Sequence, residues 1–324
     1  QGIPMSSTSP RMDAGTAVRA LIEADLPETR HIFRIAFGTL LGAPDPSSFW
    51  ADREYIYTRW RGQIGAALVA ERGGSLIGSN FLTRWGSFGF VGPLTVRPEF
   101  WNQQVAQQLL GPTMDVFSQW GLRDAGLFTF SNSPRHVGLY QKFGFWPRFL
   151  TALMSKSVNG VEAHYEQYSR LSDAGRAEIL RECAHLTDAI YAGLDPTCEI
   201  LSVAGQNLGD TVLLNDGDAL DGFAVCHCGE GTEAGAGNCY IKFAAVRPGP
   251  VAAEKFERLL DACEALAASK GLTRLECGVN VSRSDAYRRL LQAGMRTTTL
   301  GVAMHRPDSP AYNRPDVYVL DDWR

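Results

Sequence analysis

The stretch "FTFSNSPRHVGLYQKFGFW", residues 128–146, decides how the rest of the chain is read. Its β-favouring start reads as a strand, and the polar run Ser131-Asn132-Ser133 breaks it. Pro134 suits the first position of a helix, and Gly144 suits its stop, so a short helix is expected between them. Tyr140 stands four residues before that glycine, about one helical turn. Immediately upstream, "FGFVGPLTVRPEFWNQQVAQQLLGPTMDVFSQWG" (88–121) runs from a strand through Val96-x-Pro98 into a helix of about five to six turns. Pro112 inside that helix removes one backbone donor and predicts a kink.

The chain has 324 residues, 45% hydrophobic and 20% charged, the composition of an ordinary globular protein of two domains. No run of 18 uncharged apolar residues is present, so no membrane span is expected. Residues 1–16 lack the apolar centre of a secretion signal and read as a tag remnant and loose tail. All seven cysteines lie beyond residue 180 and are read as reduced thiols of a cytoplasmic protein. Residues 1–156 carry 15 Lys and Arg against 11 Asp and Glu, a balance of +4, whereas the remainder carries −8. A mildly basic half suits a small polyanionic ligand; the acidic half argues against a broad nucleic-acid surface.

Outward from the opening stretch, the patterning alternates strands with helices. "AVRALIEAD" reads as a strand, after which Asp25 is expected to cap a helix over 27–42, with Pro27 in its first turn. A second helical stretch is expected at "FWADREYIYTRW". Three strands separated by Gly-rich turns follow, as in an antiparallel meander. Residues 157–176 hold few apolar side chains and read as a connector with some helix. The same order then restarts: helix, three strands, the long amphipathic helix "AAEKFERLLDACEALAASKG", strand, short helix, closing strand. Val96-x-Pro98 followed by Leu109-Leu110 matches Val246-x-Pro248 followed by Leu259-Leu260, and Gly144 matches Gly294. Two copies of a unit of roughly 150 residues are expected, spanning 17–156 and 177–324.

A strand ending in Val-x-Pro, a turn into a long helix, a strand and a short helix reading "LYQKFGF" resembles the GNAT superfamily of N-acetyltransferases. The resemblance runs from Ala17 to about Leu153, with a weaker version from Ala177 onward. It implies an α/β (α+β) fold of two tandem GNAT-type domains, each a mixed, mostly antiparallel sheet flanked by helices. It also implies acetyl-CoA as the acyl donor, an amine as acceptor, and no metal. In such a fold the coenzyme pyrophosphate sits on a helix N-terminus, whose free N–H groups bind anions. Its pantetheine arm pairs with backbone exposed where a bulge splays two strands, and Gly92-Pro93 fits that bulge, since proline belongs at bulges or edges.

Carried onto this sequence, the coenzyme-binding positions are Leu94, Thr95 and Val96, the turn Gln103, Gln104, Val105, Ala106 and Gln107, then Asn132, Ser133 and Lys142. Tyr140 takes the place of the tyrosine that protonates the departing thiolate. The family's Gln/Arg-x-x-Gly-x-Gly/Ala loop maps onto Trp101 to Ala106, where only Ala106 matches. Trp101 replaces the basic lead residue and Gln104 the glycine. The family asparagine maps onto Ser133, with Asn132 one residue earlier. In the second copy, Glu254 and Phe256 occupy the loop positions and Leu290 the tyrosine position. A degenerate domain follows from this, one that packs on the first or shapes its acceptor cleft.

Other signals have competing readings. Cys226-His227-Cys228 with Cys239 invites a metal site, yet on a strand the histidine faces away from both thiols, and buried thiols are the plainer account. His136 shares a helix face with Tyr140 and is either a base or tuning group, or a cap-region histidine. Asp52, Glu54 and Tyr55 are either acceptor-binding groups or solvated carboxylates and core. The expected function is transfer of an acetyl or short acyl group to a primary amine, by a monomer or homodimer acting on neither nucleic acid nor membrane. The alternative is an acyl-CoA sensor or an interaction scaffold.

Overall fold

A computed structural model describes residues 15–215, 217 and 219–324, so most of the expected tail lies outside the described residues. The first half runs β1 (Thr16–Ala20), α1 (Leu26–Leu40), α2 (Ile56–Gly62), β2 (Gly65–Arg72), β3 (Ser75–Trp85), β4 (Phe88–Val96), α3 (Val105–Trp120), β5 (Asp124–Phe130), α4 (Pro134–Gln141) and β6 (Trp146–Ser157). The second runs β7 (Glu166–Gln167), α5 (Asp173–Ile190), α6 (Thr197–Gln206), β8 (Gly209–Asn215), β9 (Leu220–Cys228), β10 (Asn238–Val246), α7 (Ala252–Ser269), β11 (Arg274–Asn280), α8 (Ser284–Gln292), β12 (Arg296–Arg306) and β13 (Val319–Leu320). The fold is α+β. Gly144 and Gly294 each follow a short helix with φ of +80° and +90°, a conformation that glycine adopts without steric cost.

One mixed, mostly antiparallel sheet carries the strands in the order β1-β2-β3-β4-β5-β12-β6-β11-β10-β9-β8-β7, with β13 against β10. The two halves therefore exchange their last strands: β12 lies beside β5, and β6 lies between β12 and β11. Pairing is parallel at β4–β5 and at β10–β11. This exchange joins the halves into one sheet. A local pattern such as "FWPRFLTALMSKSV" announces a strand but not which half will pair with it.

The halves also share a core. Trp85, Phe88 and Phe90 on β3 and β4 are buried against Ile190, Phe243 and Trp323, and the Trp85 indole donates to Glu199 Oε1 at 3.0 Å. Glu199 belongs to α6, a helix the sequence pattern did not announce. A buried ion cluster spans the same boundary. Arg59 donates from Nε and Nη2 to the two oxygens of Glu233 at 2.7 and 3.1 Å, and Lys242 donates to Glu233 at 2.8 Å. Burial alone would push the Glu233 carboxyl up, but Arg59 and Lys242 outweigh it and hold it well below the ordinary carboxylate range.

Two local expectations are corrected. The Asp25 carboxylate accepts from Arg19 and from the Ile22 N–H instead of capping α1. The helix in "FWADREYIYTRW" is confined to Ile56–Gly62 at its C-terminal end. Helix α3 continues past Pro112, and the Thr113 hydroxyl beside it donates to Leu109 O at 2.8 Å.

Candidate functional site

The site begins at an irregularity in β4. Pairing with β3 shifts register between Leu94↔Asn80 and Val91↔Leu82, so Gly92 and Pro93 together face Phe81. The surplus residue is a bulge, where proline's missing donor costs no ladder bond. Parallel pairing of β4 with β5 ends at Val91↔Leu127. Beyond that point the two strands part. Arg97 N–H donates to Ile77 O at 2.9 Å, and antiparallel alternation then turns the polar groups of Thr95 toward β3 and those of Leu94 and Val96 toward the gap.

A cavity of about 450 Å³ occupies this gap. Leu94, Thr95, Val96, Gln104, Val105, Ala106, Gln107, Tyr140 and Lys142 line it. Three other residues singled out from the sequence do not. Gln103 is exposed and bonded to Arg72 and the Glu99 carbonyl. Asn132 is exposed on the turn after β5, and the Ser133 hydroxyl is 2.6 Å from His136 Nδ1. The turn displaces both from the gap.

Helix α3 points its N-terminus at the cavity. Its first intrahelical bond runs from Gln108 N–H to Gln104 O at 3.0 Å, so the N–H groups of Val105, Ala106 and Gln107 have no partner within the helix. Asn102 and Gln104 adopt φ of +63° and +62°, in the left-handed region that favours glycine. Alternating backbone of this kind forms a concavity of N–H groups suited to an anion. The Trp101 indole lies beside it and donates to Val96 O at 2.8 Å, occupying one backbone acceptor of the gap.

Arg135 was missed by the sequence reading. It lines the cavity from the first turn of α4, and its guanidinium sits 6.0 Å from the Trp101 ring centroid. A signal was present. A cation in the first turn of a helix opposes the macrodipole and invites a functional explanation.

Tyr140 closes the inner end of the cavity. It is buried, its ring packs edge-on to Phe145 at 6.4 Å, and burial pushes its phenol up to about 12. The hydroxyl is therefore protonated throughout the physiological range. His136, one turn earlier, is lowered first by burial and then by Arg135, so its imidazole is neutral at pH 7.

A second cavity of about 340 Å³ meets the first at Phe37, Leu40, Leu94, His136 and Tyr140. Of the acceptor-side candidates, Tyr55 lines it. Asp52 instead accepts from Ala236 N–H, and Glu54 accepts from the N–H groups of Ile56 and Tyr57 at the start of α2. Both carboxylates are engaged by backbone N–H groups, Glu54 locally and Asp52 across the two halves.

The second half has a matching bulge and a different outcome. β10 shifts register between Ile241 and Phe243, leaving Lys242 as the surplus residue, and its parallel pairing with β11 ends at Ile241↔Cys277. There β13 fills the space, pairing Leu320 with Ala244 and Val319 with Ala245. Arg283, wholly buried, donates to Val319 O at 2.9 Å and to Asp321 at 2.8 Å, fixing this segment. Phe256 packs on Tyr318 at 5.3 Å between ring centroids, and Leu290 lies in the core. Cys226, Cys239 and Cys263 are buried in the same core, while His227 faces the Glu233 side.

Residues 27–145 match the acetyltransferase (GNAT) family. The GNAT match thus spans α1 through the end of "LYQKFGF". No curated protein matches the chain. Among solved structures, a GCN5-related N-acetyltransferase from Sphaerobacter thermophilus is similar over 90% of this chain and 95% of its own, at 14% identity and TM-score 0.59. Another, from Anabaena variabilis, is similar over 92% and 74%, at 13% identity and TM-score 0.54. A protein from Pyrococcus horikoshii, assigned as an acetyltransferase, is similar over 94% of both chains at 13% identity and TM-score 0.67. At these identities the likeness concerns the fold, and it extends through the second half.

Proposed function

We propose that the protein is an N-acetyltransferase that moves an acetyl or short acyl group from acyl coenzyme A to a primary amine. In this reading residues 17–156 form the coenzyme-binding domain, 157–176 the connector, and 177–324 a second, degenerate GNAT domain. One observation carries it: β4 and β5 part after Val91, and the gap leads from the α3 N-terminus to the Tyr140 phenol. Pantetheine would pair with the Leu94 and Val96 backbone facing the gap. The pyrophosphate would rest on the N–H groups of Val105 to Gln107, with Arg135 providing the charge that Trp101 does not. A carboxylate-free N-terminus favours the anion.

The chemistry asks for a neutral amine and a stabilised leaving group. The amine nitrogen attacks the thioester carbonyl and gives up its surplus proton to water; as the adduct collapses the carbon–sulfur bond breaks, Tyr140 donates a hydrogen bond, then its proton, to the departing thiolate, and solvent returns a proton to the phenol. A free thiol near pKa 8.5 is more acidic than this phenol, but the apolar surroundings that raise the phenol raise the thiol as well. In the second half, β13 occupies the corresponding gap and Leu290 offers no proton, which supports one coenzyme site per chain.

A sensor or scaffold is the second reading. It is favoured by the Trp101 bond to Val96 O, which removes one partner for pantetheine. Calorimetry with coenzyme A and thiol release over an amine panel separate the two. Tyr140→Phe is expected to lower kcat by about a hundredfold or more while leaving the KM for acetyl-CoA within about threefold. Unchanged turnover would remove Tyr140 from the proton step; binding without turnover would favour the sensor.

A further inference from the structure

The cavity behind Tyr140 is built by both halves, and its walls are chemically one-sided. On one flank, α1 and the segment after it bring Phe33, Phe37, Trp50 and Tyr55 into a cluster with ring centroids of contacting pairs 5.0 to 6.2 Å apart. Phe128 and Phe130 on β5 form another wall, and the exchanged strands complete it with Leu153, Met154, Thr298 and Thr299. Among the described residues lining it, Glu276 is the one side-chain carboxylate, and Arg53 already stands 3.3 Å from it while lying 5.3 Å over the Trp50 ring. The other charged lining group, Arg324, is also cationic.

We propose, resting on the transferase reading above, that this cavity takes an acceptor with a single amine on an aromatic or similarly flat apolar body, and that it rejects polyamines, aminoglycosides and lysine-rich peptides. The reason is electrostatic. Each additional ammonium drawn out of water needs a carboxylate to offset its desolvation, and the single one here is shared with Arg53. A lone amine on an apolar body carries the opposite balance. Its rings gain contact with the aromatic walls, and desolvation favours the neutral form that attacks the thioester. A space of about 340 Å³ lies near the lower end of small-molecule pockets, so a one- or two-ring amine fits and an oligosaccharide does not.

The test compares phenethylamine and tryptamine with spermidine, kanamycin and a lysine tetrapeptide, with acetyl-CoA as donor. Thiol release is read alongside calorimetric binding of each amine to the coenzyme A-loaded protein. The aryl amines are expected to exceed the polycations at least tenfold in kcat/KM and in affinity. Aryl amines that bind selectively without thiol release uphold the acceptor class while sinking transfer. Equal or better use of a polycation overturns the class, as does failure of both aryl amines to bind a protein that does bind coenzyme A. A variant guards the result. Thr299 is exposed on the rim, and Thr299→Asp is expected to shift relative kcat/KM toward spermidine about fivefold; no shift would place the polycation barrier elsewhere and count against the proposal.

Discussion

The gap between β4 and β5 and the gap between β10 and β11 arise in the same way and end differently. Each follows a parallel pairing that is cut short opposite a bulge. In the first half the freed edge borders a cavity; in the second the chain's own β13 fills the space. A splayed strand pair exposes backbone groups that must find partners, either in a ligand or in another segment of the protein. The difference lies less in the sheet than in what is tethered near it: buried Arg283 holds the β13 segment in place, and among the described residues no such strand pairs in the first gap.

The largest disturbance to this comparison comes at the ion cluster that ties the two gaps together. Arg59 also donates to the bulge carbonyl of Gly92 at 2.7 Å, so Glu233 of the second half holds an arginine that shapes the first half's opening. Glu233→Ala leaves Arg59 and Lys242 buried without their carboxylate and is expected to cost about 3–5 kcal/mol by denaturant titration. Weakened coenzyme affinity should accompany it in whatever fraction stays folded. An unchanged denaturation midpoint would show the cluster to be dispensable.

Next in size, Leu320→Ala hollows the filled gap. It is expected to cost about 2–5 kcal/mol, yet calorimetry should still count one coenzyme A per chain, because Phe256 and Leu290 leave no anion site or donor there. A second binding event would abolish the distinction between the halves.

Acid should erode both regions by a common route. Burial holds His227 and His305 neutral, each lowered to about 4. The unfolded chain then binds more protons than the folded one between about pH 6.5 and 4, so stability falls as pH drops through that window. At pH 5, each is expected to remove about 2 kcal/mol relative to pH 7.5, at 1.36 kcal/mol per unit. Urea midpoints at the two pH values measure this directly, and equal midpoints would mean that the imidazoles are solvated.

The smallest effect sits on the loop. Gln104→Gly removes a side chain from a left-handed position at a gain of about 1 kcal/mol, partly offset by the greater freedom of the unfolded chain. The KM for acetyl-CoA should fall about twofold. A rise in KM would show that the Gln104 amide donates to the phosphates.

Much of the first half was legible because its signals are local. Pro134, Tyr140 and Gly144 mark a helix at both ends, and Gly92-Pro93 marks a bulge, since backbone limits on proline and glycine act wherever they occur. Asn132, Ser133 and Gln103 lie outside the lining of the first cavity because a turn's direction depends on its neighbours. Arg135 became visible once Trp101 stood beside it. Asp52 and Glu54 read as exposed chemistry, but their partners are backbone N–H groups whose positions are set by folding.

The sequence by itself determined most of the elements, the repeated order, the bulge and the tyrosine one turn before a glycine, because each depends on dihedral preference and periodicity over a few residues. Only the tertiary structure decided that the halves exchange closing strands, that β13 occupies the second gap, and that Glu276 and Thr299 line one cavity with Tyr55. Strand pairing and burial are long-range choices, fixed by which apolar faces can cover one another once the whole chain is compact.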